Sequence, residues 1–230
     1  MAVGTGDHCD YSVLVATDLC KRIHAVLAPL PEYRRPGDVP FSNGLYFFYQ
    51  QGETSPHAPE GRIVRVGNHP RSQDRLKGRL SNHYSGRKNG SVFRKYLGGA
   101  LLRRENPNHP CLLPAPGQGH WEKQDASTCQ QCRPVEQQVS ALLKSDFRFR
   151  CIQVVDIEMR NVLERELVAT LSLCTVCGPS AHWLGLHAYS SKVQSSGLWN
   201  HAFTFDESCL IDDKGMTCLA VLVNSTHRSV

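Results

Sequence analysis

The 230-residue chain contains no run of roughly eighteen or more apolar residues, which excludes an ordinary membrane-spanning helix. Its opening, Met-Ala-Val-Gly-Thr-Gly-Asp, lacks the basic-then-apolar order of a secretory signal, so a cytoplasmic protein without a membrane partner is expected. No internal repeat is visible. Acidic residues are nearly missing from one stretch: across residues 62–104, Asp74 is the single acid among Arg62, Arg65, Arg71, Arg75, Lys77, Arg79, Arg87, Lys88, Arg94, Lys95, Arg103 and Arg104. The net charge of +5 is therefore concentrated in one block. A solvated face is the bland meaning of such a run. Its other meaning is a phosphate-rich partner, because Lys and Arg that neutralise phosphates release counterions.

What is present reads as a mixed α/β (α+β) domain, with a small antiparallel sheet flanked by helices. A hydrophobic fraction of 40% is that of a globular chain, and the length favours one domain with an elaborated arm. Residues 45–49 (Leu-Tyr-Phe-Phe-Tyr) and 63–66 (Ile-Val-Arg-Val) are aromatic or β-branched, and between them lie Gly52, Pro56, Pro59 and Gly61, as for two strands joined by a long loop. Leu76 and Leu80 then recur at helical spacing, which puts Arg79 and His83 together on one helix face. A third strand is expected over 149–155. It leads into a helix with Leu163, Leu167, Val168 and Leu171, beside whose apolar stripe Glu164 stands.

Val15, Leu19, Ile23, Val26, Leu27 and Leu30 form an amphipathic helix ending at Pro31, so residues 1–40 are expected as an N-terminal helical segment. Residues 103–134 carry Pro107, Pro110, Pro114, Pro116, Gly117 and Gly119 and fit an inserted arm. Pro134 next opens a helix with Val135, Val139, Leu142 and Leu143 on one face. Residues 181–230 read as an extension packed on the same domain. Asn200 and His201 beside Trp199 are candidates for contact with base edges, although a structural turn is the commoner meaning of Gly-Leu-Trp-Asn.

Ten cysteines are many for a reducing compartment, where disulfides are disfavoured. Cys129-Gln-Gln-Cys132 and Cys174-Thr-Val-Cys177 have the spacing of metal knuckles, and the two pairs together would close a structural zinc site, against the competing meaning of four ordinary thiols. Cys9, Cys20, Cys111, Cys151, Cys209 and Cys218 show no partner pattern, and Cys151 is expected in the core.

Gly44-Leu45-Tyr46, Arg65-Val66-Gly67, Arg79 within Arg75-Leu-Lys-Gly-Arg-Leu, and Glu164 within Leu163-Glu-Arg-Glu-Leu-Val168 together resemble the GIY-YIG nuclease family over residues 41–180. The Arg79/His83 pair is similar to the arrangement in its restriction endonucleases. Trp183-Leu184-Gly185 and the 196–200 stretch look like the tail of further bacterial members. Two departures stand out: Arg65 replaces the second signature Tyr, and Ser180 is the nearest candidate for the family's Asn after the Glu. The resemblance implies Tyr46, Arg65, Arg79, His83 and Glu164 as catalytic residues, with Tyr46 activating a water and Glu164 holding Mg²⁺ or Mn²⁺. A phenol ionises near pH 10 in water, about three units too high, so cationic neighbours such as Arg65 and Arg79 are needed. His83 is expected to orient or deprotonate the water or to assist the leaving oxygen. Double-stranded DNA is the implied partner, with Arg71, Arg75, Lys77, Arg87, Lys88, Arg94 and Lys95 as nucleic-acid-binding residues and a homodimer as a possible assembly. The expected activity is a restriction-like or defence-related endonuclease. A repair or structure-specific nuclease and a catalytically inactive DNA-binding module are the alternatives.

Overall fold

The computed structural model describes residues 7–69, 73–113, 121 and 132–228. The chain runs α1 (Asp7–Leu27), β1 (Gly44–Gln50), β2 (Ile63–Gly67), α2 (Leu76–Ser85), α3 (Val92–Glu105), α4 (Cys132–Asp146), β3 (Phe147–Gln153), α5 (Ile157–Leu173), α6 (Ser191–Ser196) and α7 (Asp213–Arg228). The strands form one antiparallel sheet in the order β2-β1-β3. β1 lies at its centre and is buried along its whole length, which is why it reads as a continuous apolar run.

Side chains alternate across the sheet and divide the interior into two layers. Tyr46, Phe48, Phe147, Phe149 and Cys151 face a core shared with α2, α3 and α4. Leu45, Phe47, Tyr49, Ile152 and Val154 face a second core shared with α1, α5 and α7. The ladder between β1 and β2 slips between Phe48 and Tyr49, where Phe48 pairs with Arg65 and Tyr49 with Ile63. Val64 is the extra residue of this bulge. It joins the first core while Ile63 and Val66 join the second, so the bulge changes which face the neighbours of Arg65 serve.

Both edges of the sheet are covered. Tyr33 exchanges backbone hydrogen bonds with Phe149 at 2.8 and 2.9 Å beyond β3. On the far side, the Trp199 N–H donates to Val64 O at 2.7 Å, and the Asn200 amide both accepts from Val66 N at 3.1 Å and donates to Val66 O at 2.9 Å. A strand with free N–H and C=O groups invites pairing with other chains, and these contacts remove that liability. Asn200 is thus the structural turn residue of the two readings, buried against β2.

The sequence signals for α1, α2, α4, α5 and the three strands correspond to elements of the structure. Within the stretch expected as an arm, α3 continues through Glu105, and Cys111, Leu112 and Trp121 are buried in the first core. The Trp121 indole N–H donates to Lys95 O at 2.9 Å and its ring lies over Gly98, where an added Cβ would meet it at 2.0 Å. No described helix is long and apolar enough to cross a membrane.

Candidate active site

The first core carries a polar chain inside its aromatic layer. Tyr46 of β1 stands opposite Gly67 of β2, and a Cβ at Gly67 would meet the Tyr46 hydroxyl and Cζ at 2.4 Å, so the glycine of the second tripeptide is what lets the phenol lie across β2. The Tyr46 hydroxyl is 2.8 Å from His83 Nε2, and His83 Nδ1 is 2.7 Å from Ser91 Oγ. Ser91 is the N-cap of α3 and its oxygen already accepts from the Arg94 N–H at 3.2 Å. The tautomer with Nδ1–H donating to Ser91 leaves Nε2 to accept from the Tyr46 hydroxyl. Burial pushes the His83 pKa well below the usual imidazole range, and the Arg65, Arg79 and Arg94 charges push it the same way, so the ring is neutral.

Arg65 projects from β2 next to this pair. Its guanidinium donates to Trp199 O and lies 5.0 Å above the Phe93 ring. Burial lowers its pKa, and Tyr46 and Glu164 oppose that shift. Arg79, one helical turn before His83, donates to Gly90 O at 3.0 Å. Among the described residues, the Nε–H groups of both Arg65 and Arg79 are buried without a hydrogen-bond partner. Both donors border the Tyr46–His83 pair, and an anion's oxygens there would satisfy them.

Glu164 reaches the same neighbourhood from α5, which also packs on β2. Burial raises its pKa, while Arg65, Arg79 and the Asn68 backbone N–H oppose the rise. Asn68 follows Gly67 directly; its amide nitrogen donates to Asn161 at 3.1 Å, and its Oδ1 is buried without a partner. The Glu164 carboxylate is a hard-oxygen ligand of the kind that fits Mg²⁺ or Mn²⁺, which bind through few protein oxygens and keep their waters. The structure therefore brings Tyr46, Arg65, Arg79, His83 and Glu164 into one neighbourhood. His83 differs from its expected placement: it is fully buried with both nitrogens occupied, so it meets Tyr46 and not a water directly.

The basic block divides. Arg79, Lys88 and Lys95 line a cleft of about 220 Å³ with Asn89, Gly90, Ser91 and Val92, and Arg75 and Arg87 are exposed while Lys77 is half-buried. Arg94 is a correction. It is fully buried, pairs with Glu136 at 2.7 Å and donates to His83 O and Ser140 Oγ at 2.9 Å each, so its guanidinium holds α2, α3 and α4 together. Lys88 is also largely buried, its ammonium 5.8 Å from the Trp121 ring centroid. Arg71 lies outside the described residues.

The expected zinc grouping is not assembled. Cys132 Sγ contacts Cys111 Sγ at 3.3 Å in the first core, whereas Cys174 and Cys177 belong to the second, with the sheet between them; Cys129 lies outside the described residues. Ser180 does not take the place of the family's Asn. Its hydroxyl donates to Glu53 at 2.5 Å, and Glu53 is paired with the buried Arg62 at 2.6 Å.

A protein-family model described as GIY-YIG domain matches residues 15–229. The chain belongs to the GIY-YIG family. Members are nucleases that typically use divalent metals, so this GIY-YIG chain has the activity class of a nuclease hydrolase, with DNA as the substrate class. The match extends well beyond the motif-bearing residues 41–180 and takes in most of α1 and all of α7. No curated protein and no solved structure matches the chain. Site residues that sequence reasoning passed over are Ser91, Asn68 and Asn161. Ser91 carried a legible signal as a Ser opening a helical run, whereas the asparagines have no local pattern that sets them apart from turn residues.

Proposed function

We propose that this GIY-YIG protein is a Mg²⁺-dependent DNA endonuclease of the restriction-like or defence-related kind. The observation that carries the reading is the Tyr46–His83 hydrogen bond, bordered by two arginines with orphaned donors and by Glu164. Neutral His83 hydrogen-bonds the Tyr46 oxygen and orients it, and with the phenolic proton lost to solvent and Arg65 and Arg79 beside it, Tyr46 as phenolate is the base for a water aligned with the scissile phosphorus. Arg65 places its positive charge beside Tyr46. The free Nε–H groups of Arg65 and Arg79 match phosphate oxygens, whose charge grows in the transition state. Glu164 would hold the dication, which when bound supplies Lewis-acid stabilisation of the phosphoryl and leaving oxygens. One such module cuts one strand, so duplex cleavage proceeds through a homodimer or by successive nicks.

Incubating the purified protein with unmethylated phage DNA in Mg²⁺ or Mn²⁺, followed by mapping of the ends, tests this reading. Discrete fragments with a common terminal sequence are expected. Nicks confined to branched or damaged substrates would instead identify a repair nuclease, and salt-sensitive binding without cleavage in either metal would identify an inactive DNA-binding module.

A further inference from the structure

On the sheet face opposite Tyr46, three segments distant in sequence bring four soft donors to one point. Cys20 comes from α1, His57 from the β1–β2 loop, and Cys174 and Cys177 from the end of α5 and the turn beyond it. The Cys20 and Cys177 sulfurs are 3.5 Å apart, and His57 Nδ1 is 3.6 Å from Cys177 Sγ and 3.8 Å from Cys174 Sγ. All four donor atoms lie within 4.8 Å of one another, the three cysteines buried and His57 half-buried. Cys20, which has no spacing pattern in the sequence, is thus the third sulfur of the group.

We propose that Cys20, His57, Cys174 and Cys177 bind one structural Zn²⁺. A tetrahedral ion with Zn–S near 2.3 Å and Zn–N near 2.0–2.1 Å sets edges of about 3.8 Å between sulfurs and about 3.6 Å between sulfur and nitrogen. The separations of 3.5 Å between the Cys20 and Cys177 sulfurs and of 3.6 and 3.8 Å from His57 Nδ1 to Cys177 and Cys174 lie within about 0.3 Å of those edges. A disulfide needs about 2.05 Å between two sulfurs and would leave a third thiol and an imidazole crowded against it. An iron–sulfur cluster distributes its ligands over more than one iron, which a common 4.8 Å grouping does not accommodate. Three thiolates and an imidazole with no open position are the donor set of zinc held for structure and not for catalysis.

The surroundings are built to present these donors. Ser55 and Ala58 exchange backbone hydrogen bonds at 3.0 and 3.2 Å, so Pro56 and His57 form the corner of a tight turn whose φ the proline presets. Ser55 Oγ lies 3.0 Å from Cys177 Sγ, a second-sphere contact of the kind that orients a ligand. Cys174 caps α5, and the Cys174-Thr-Val-Cys177 knuckle turns back towards α1. The ion would tie α1, the β1–β2 loop and α5 into one unit, and the proposal is independent of whether the chain cleaves DNA.

Metal analysis of full-length protein purified without added zinc should give one equivalent per chain, and zinc X-ray absorption should show three sulfur neighbours and one nitrogen. Cys20→Ser and His57→Ala should each lose bound zinc, while Cys132→Ser should keep it. Because these variants can misfold, the wild type is also exchanged into Co²⁺, where tetrahedral d–d bands and thiolate charge transfer are expected, and His57→Cys should retain the metal with four sulfur neighbours. Zinc-free wild type, a Cys20–Cys177 disulfide detected by mass, or full zinc content in both Cys20→Ser and His57→Ala would overturn the assignment.

Discussion

The Tyr46 hydroxyl, the His83 ring and Ser91 Oγ form a buried hydrogen-bonded chain, and the depressed imidazole pKa has a thermodynamic consequence. Below about pH 6.5 the unfolded chain protonates His83 and the native chain does not, so stability present above that pH is lost as the pH falls, by up to about 1.4 kcal/mol per pH unit. Urea midpoints measured from pH 7 to pH 5 should therefore fall less steeply in His83→Gln than in the wild type, whatever the variant's absolute stability. Glu164 behaves in the opposite sense. Burial raises its pKa despite two arginines, so the ionised carboxylate costs stability at neutral pH, and Glu164→Gln should abolish cleavage without lowering the urea midpoint. A large fall in that midpoint would show that Glu164 holds the fold and does not serve the chemistry. At this scale residue type was legible and burial was not. Arg62, Arg65 and Arg94 look identical in sequence to the exposed Arg75 and Arg87, yet all three are interior, because Glu53, Glu136 and carbonyls distant in sequence meet them there.

Close approach of backbone and side chain fixes the geometry of the elements. Gly67→Ala would force its new methyl against Tyr46 at 2.4 Å, and overpacking of this kind costs about 1–3 kcal/mol. Cleavage should fall by a larger factor than stability explains, since the displaced group is the proposed base; thermal melts beside cleavage rates separate the two losses. The strands and α2, α4 and α5 were legible because each repeats its apolar residues at the period of its own geometry. α3 was not: Gly98 and Gly99 interrupt it, basic residues crowd both ends, and burial of most of its length on several sides removes the single-face pattern. Its partner Trp121 lay in a Pro- and Gly-rich stretch whose composition speaks for a loop, and only the cavity above Gly98 explains why a tryptophan belongs there. The bulge at Val64 was likewise invisible, because register depends on the partner strand.

Over the whole molecule, the basic surface and the basic interior serve different ends, and one experiment distinguishes them. In the Glu164→Gln background, duplex affinity can be followed against salt concentration without cleavage. Each phosphate contact contributes close to one unit of the slope of log affinity against log salt. Arg87 is exposed at the turn before the cleft lined by Arg79, Lys88 and Lys95, so Arg87→Ala should weaken binding evenly across sequences, reduce that slope by about one, and leave the melting temperature unchanged. Arg94 carries the same charge seven residues later but spends it on Glu136, the His83 carbonyl and Ser140. Arg94→Ala empties a fully buried guanidinium site and takes the charge partner from part-buried Glu136, which is left with the Lys88 N–H at 2.7 Å, so it should lower the melting temperature sharply. At temperatures where the variant is still folded, its salt slope should equal that of the parent. A reduced slope in Arg94→Ala with an unchanged melting temperature would mean that Arg94 faces phosphate, and the division of the basic block into a surface half and an interior half would be wrong.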